Sequence, residues 1–90
     1  MKIKITANQA GEMRDAMRVQ CEDGTEYAPI ARTLADRLKA GTMELDGSEL
    51  ELMRREANSR MELWYDRKCV EGRQSAGMYR SMAKLVENLK

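Results

Sequence analysis

Residues 48–71 read SELELMRREANSRMELWYDRKCVE, with no proline or glycine to interrupt them. The stretch therefore predicts one long helix, opened by a capping box of Ser48 and Glu51 and closed by Gly72. At about 100° per residue, Leu50, Met53, Ala57, Met61 and Trp64 fall within about 80° of arc, with Tyr65 just beyond. That stripe is the expected core face. Leu52, Leu63 and Val70 fall within about 20° of one another on a different side, and Arg60 and Arg67 lie between the two stripes. A helix joins a core with one stripe. The second is buried by other elements, or it is kept for a partner. Pairs four residues apart, Glu51–Arg55, Glu56–Arg60 and Arg67–Glu71, are expected to support the polar remainder.

Outward from this helix the pattern is regular. Before it, Thr42-Met43-Glu44-Leu45 alternates and is bracketed by Gly41 and Gly47, as a short strand would be. Pro29 suits the first turn of a helix carrying Ile30, Leu34 and Leu38, with Ala31 and Ala35 beside them and Gly41 closing it. At the start, Lys2-Ile3-Lys4-Ile5 alternates as a strand. Thr6 and Gln9 then form a capping box, with Asn8 as a competing cap, for a helix to about Glu22. Its apolar face is Ala10, Met13, Ala16, Met17 and Cys21, and Gly24 stops it. Beyond Gly72, a last helix begins at Ser75 with Met78, Met82, Leu85, Val86 and Leu89 on one side. The expected fold is α+β and mostly helical. Its order is strand, helix, helix, strand, helix, helix, with a two-stranded sheet and a long third helix, in a single domain over residues 1–90. A faint echo at an offset of 40 sets Ile5-Thr6 against Leu45-Asp46 as strand end and cap.

Ninety residues can hide one modest core. Leu, Ile, Val and Phe number only 14, but eight Met and ten Ala supply apolar content. Met fills irregular gaps in cores and also lines adaptable binding surfaces. Residues 1–53 hold seven basic and ten acidic side chains, and residues 54–90 hold nine and five. The chain is thus dipolar, with a basic C-terminal half able to steer a charged partner. Two cysteines, Cys21 and Cys69, form no disulfide framework and are expected as free thiols in a reducing cytoplasm. No segment has the length of a signal peptide's apolar core or of a membrane span.

There is no histidine, so the usual general base and every Ser–His or Cys–His pair are missing. The acidic stretches have no calcium-loop spacing, the cysteines no zinc spacing, and there is no glycine-rich phosphate loop. The expectation is a protein without catalytic residues, cofactor or metal. Ile30-Ala31-Arg32-Thr33-Leu34-Ala35 has the look of a first helix of a helix-turn-helix, but an acidic strand follows where a recognition helix belongs.

Two units, Lys2-Ile3-Lys4-Ile5-Thr6 and Thr42-Met43-Glu44-Leu45-Asp46-Gly47-Ser48-Glu49-Leu50, each run from a strand straight into a capped helix. In this layout the chain resembles small accessory proteins of bacteriophages and mobile elements. The resemblance implies a non-enzymatic protein that occupies a surface on a host or phage protein, inhibitors of antiviral defence such as anti-CRISPR proteins being one class. It carries over no site residue. From the residues themselves, the expected partner is another protein, met by Arg60, Leu63, Arg67, Lys68, Val70, Arg73 and Arg80. Trp, Tyr and Arg dominate many binding surfaces, and Trp64 is read either as core or as contact. The alternative is a nucleic acid held by the same cations, and a further one is a self-associating structural subunit, with the chain a monomer or homodimer.

Overall fold

A computed structural model describes all 90 residues. The order is β1 (Lys2–Ile5), α1 (Ala7–Asp23), α2 (Ala28–Arg37), β2 (Gly41–Glu44), α3 (Gly47–Glu71) and α4 (Arg73–Asn88). This is the expected mostly helical α+β arrangement. The strands pair antiparallel, Lys2 with Glu44 and Ile5 with Gly41 at the ends of the register. The bond from the Leu45 N–H to the Met1 carbonyl extends the ladder by one step. Alternation sets Ile3, Ile5, Met43 and Leu45 inward, where all four are buried.

Each strand hands directly to a helix through a capping box. Thr6 accepts from the Gln9 N–H while the Gln9 side chain accepts from the Thr6 N–H. Asp46 and Glu49 do the same for α3. The sequence expectation of a Ser48–Glu51 box is corrected by two residues. Glu49 is the better partner because its second oxygen also takes an ion pair from Arg37, which itself donates to the Glu44 carbonyl. One buried carboxylate thereby joins the end of α2, the end of β2 and the first turn of α3.

Two other boundaries differ from expectation. Gly41 does not close α2. That helix ends at Arg37, Leu38 turns into extended backbone and drops into the core, and Gly41 opens β2 at φ 119°. The last helix starts at Arg73 rather than Ser75. Only Gly72 separates it from α3, at φ 83° and ψ −137°, a conformation reserved in practice for glycine. Ser75 is fully buried inside the turn so made, its hydroxyl bonded to Glu71.

The core is one cluster drawn from every element. α1 gives Ala10, Met13 and Met17, α2 gives Ala31 and Leu34, α3 gives Leu52, Met53 and Ala57, and α4 gives Met82 and Leu85, with Leu89 just after its end. Five of the core's large side chains are methionines, so thioethers fill the place that branched residues hold in most small domains. α3 and α4 form an antiparallel hairpin, tied near its base by Arg54 donating to the Leu89 carbonyl and near its tip by Ser75 and Glu71. No helix is long and apolar enough to cross a membrane.

The caps can be told apart by stability. Asp46→Ala is expected to cost about 0.5–2 kcal/mol, and Ser48→Ala less than about 0.5 kcal/mol, in urea unfolding. Equal losses would contradict the assignment of the cap.

Candidate functional site

α3 passes beyond the elements that bury its first half. From Met61 to Glu71 no residue of the helix is buried, and from Tyr65 to Gln74 every residue is exposed. The second apolar stripe is divided accordingly. Leu52 lies in the core at 1 % exposure, whereas Leu63 is 37 % and Val70 85 % exposed. The expected core face is graded in the same sense, with Met53 and Ala57 buried and Leu50, Met61 and Trp64 half-buried against the cluster.

The intrahelical ion pairs expected on α3 do not form: tertiary partners take Arg55, Glu56 and Arg60, and Arg67 rests on Trp64 of its own helix instead of meeting Glu71. Arg55 reaches the Tyr27 hydroxyl and stacks 4.8 Å from its ring. Glu56 accepts from Gln20. Arg60 pairs with Glu12 at 3.7 Å, both side chains largely covered. Glu12 also accepts the Trp64 indole N–H at 2.8 Å. Trp64 therefore belongs partly to both readings. Its body packs on the core and its polar tip is spent on α1, while one face carries the Arg67 guanidinium at 5.2 Å.

Around Trp64 the surface opens into a trough between the first turn of α1 and the start of α4. Its wider part, about 440 Å³, is lined by Asn8, Trp64, Glu71, Arg73, Gln74, Gly77 and Met78. It continues through the shared Asn8 and Gly77 into a second part of about 340 Å³, lined also by Thr6, Gln9, Arg80, Ser81 and Lys84. Gly77, with no side chain and open space above it, keeps the two parts joined. Gln9 fixes the floor by donating to the Ser81 carbonyl at 2.9 Å. Arg67, Arg73, Arg80 and Lys84 make no hydrogen bond or salt bridge within the chain, against a single carboxylate, Glu71. The N-terminal end of α1 adds its own positive dipole to the same side.

The seven residues singled out from the sequence are thus not one patch. Arg67, Arg73 and Arg80 flank the trough, and Leu63 and Val70 stand on the exposed outer face of α3. Arg60 lies beneath α1 in its ion pair. Lys68 lies on another flank, its ammonium 5.1 Å from the Tyr79 ring centre and 6.0 Å from that of Tyr65. The sequence expectation does not include Lys84 or the contributions of α1. The spacing Gly77, Arg80, Ser81, Lys84 does mark one helical face, but nothing local announces that α1 packs beside it.

Cys21 and Cys69 are both free thiols, on α1 and α3, and no three of the Cys, Asp and Glu side chains converge as metal ligands would. Comparison with protein-family models, with curated proteins and with solved structures finds no match to this chain.

The Glu12 contacts have a measurable consequence. Glu12→Ala leaves the indole N–H and the Arg60 guanidinium without their partner. It is expected to cost about 1–3 kcal/mol in urea unfolding, with emission from Trp64, the only tryptophan, shifted to the red. An unchanged midpoint and spectrum would show that these contacts do not hold α3 to α1.

Proposed function

We propose that the protein acts by binding another protein, through the trough beside Trp64 and the exposed face of α3 next to it, and that the partner presents an acidic, partly apolar segment. The observation that carries this reading is the concentration of unpaired cations, Arg67, Arg73, Arg80 and Lys84, about a groove that contains Trp64 and Met78. Arginine beside tryptophan at a partly desolvated groove is the composition of binding hot spots. Carboxylates of a partner would find guanidinium donors free of intramolecular competitors. Leu63 and Val70 would supply the apolar margin that excludes water.

Such an activity is steric. It needs no catalytic group, and it agrees with what the resemblance to phage and mobile-element accessory proteins implies, an inhibitor of a host or phage protein. The narrowed contact set is Leu63, Arg67, Val70, Arg73, Arg80 and Lys84. Arg60 is left out because its charge is already neutralised by Glu12.

The test is affinity capture from a bacterial or phage-infected lysate, with a double variant, Arg73→Glu with Arg80→Glu, beside the original protein. Both residues are exposed, so the variant is expected to keep its unfolding midpoint and to lose a specific protein partner by tenfold or more, roughly 1.4 kcal/mol or above. Retention of the partner by the variant contradicts the proposal. Binding to arbitrary DNA or RNA that falls steeply between low and physiological salt replaces it with the nucleic-acid reading.

The apolar margin gives a separate expectation. Leu63→Asp and Val70→Asp should each change stability by less than about 1 kcal/mol, as surface substitutions do, while weakening capture. A Leu63→Asp chain that unfolds would return that residue to the core.

A further inference from the structure

The flank of the hairpin away from Leu63 carries a different chemistry. Tyr65 lies about 160° around α3 from Leu63, and its ring meets that of Tyr79 on α4 with centres 5.5 Å apart and planes inclined at 56°. The two rings border a cavity of about 260 Å³, whose other walls are Met61, Glu62 and Asp66. Neither carboxylate has a salt-bridge partner in the chain. The one cation nearby is Lys68, over both rings but at the outer limit of a cation–π contact for Tyr65.

We infer that this cavity is a cation-recognition site, its two rings covered in the free protein by Lys68, and that its proper occupant is the guanidinium of an arginine on a partner protein. Three features select that group. The volume falls below the ~300 Å³ at which sites for whole small molecules begin, so it admits one side chain. Two inclined aromatic faces attract positive charge through their π-electrons. A planar guanidinium can stack on a tyrosine while its fork meets a carboxylate with two parallel bonds, which a tetraalkylated ammonium cannot do. Lys68, on the same helix as Tyr65 and one turn away, is a tethered competitor that keeps the rings occupied until a better cation arrives. The site is separate from the basic trough, and it can be tested without any protein partner.

The experiment is a titration of the intact protein with methylguanidinium chloride, followed by NMR of the Tyr65 and Tyr79 ring protons. Tetramethylammonium and sodium at matched ionic strength serve as comparators. Saturable shifts of both rings with methylguanidinium, weaker with tetramethylammonium and absent with sodium, are expected. Lys68→Met should tighten binding about two- to fivefold, the factor that an exposed cation–π contact represents. Tyr79→Leu should abolish the Tyr65 response. Asp66→Asn, at an exposed position that leaves the fold alone, should weaken it several-fold. Shifts that are linear and equal for all three cations, or that ignore Lys68→Met and Asp66→Asn, overturn the site. Tighter binding of tetramethylammonium overturns the assignment to arginine.

Discussion

A helix of 25 residues spans about 37 Å, and nothing else in this chain is that long. α1 reaches about 25 Å, α4 about 24 Å and α2 about 15 Å. The mismatch decides the rest of the architecture. α1 and α2 can seal α3 only over its first half, where Leu52, Met53 and Ala57 enter the core. The remainder is flanked by α4 and touched by the first turns of α1, so its outer stripe must face solvent. The longest dimension of the molecule, 35 Å, is close to the length of this one helix. Since Gly72 alone links α3 to α4, α4 must return along the same rod, which brings Tyr79 beside Tyr65 and Gly77 beside Trp64.

The same constraint sorts the charges. Near the sealed half every arginine of α3 finds a tertiary acceptor: Arg54 on the Leu89 carbonyl, Arg55 on Tyr27, Arg60 on Glu12. These bonds knit helix to helix, and two carboxylates that would otherwise have paired along α3 have other partners, Glu56 accepting from Gln20 and Glu71 from Ser75. Past Trp64 the cations take no acceptor within the chain, although Asp66 and Glu71 lie on the same stretch. Arg67 rests on an aromatic face, and Arg73, Arg80 and Lys84 end in solvent. The basic C-terminal half is thus one population of cations used for cohesion and another left free. Only the second can meet a partner without breaking a hydrogen bond or an ion pair.

Much of the fold is legible from local rules. Alternation marks both strands, the Thr6–Gln9 box marks the start of α1, and Gly24, at φ 63°, marks its end. The rules fail where the deciding atom is remote in sequence. Ser48–Glu51 and Asp46–Glu49 are equally good capping boxes in one dimension, and Arg37 breaks the tie from another helix. α2 stops short of Gly41 because Leu38 is needed in the core. Helical spacing shows two stripes on α3 but not how far along it α1 extends, so it cannot tell buried Leu52 from exposed Val70. For the site, the cations are visible in the sequence, while their division by Glu12 and by the tyrosine pair is not, since both depend on packing between helices.

What remains is why a small chain would keep Leu63, Tyr65 and Val70 exposed at the end of its longest helix. Stability does not require it. Val70 at 85 % exposure contributes almost no burial, and a shorter α3 would still deliver Leu52, Met53 and Ala57 to the core. Scattered apolar residues on a surface are ordinary. Here, however, they share one projecting hairpin with five of the chain's unpaired cations, Arg67, Lys68, Arg73, Arg80 and Lys84, and with two open grooves. Exposed aliphatic surface beside unpaired charge does little for a folded monomer, since it is neither buried nor neutralised. It becomes useful once another molecule completes both the burial and the ion pairs. Leu63 and Val70 have no such burial in the free protein, and on the proposed reading they are departures of the kind expected where a sequence serves function instead of folding.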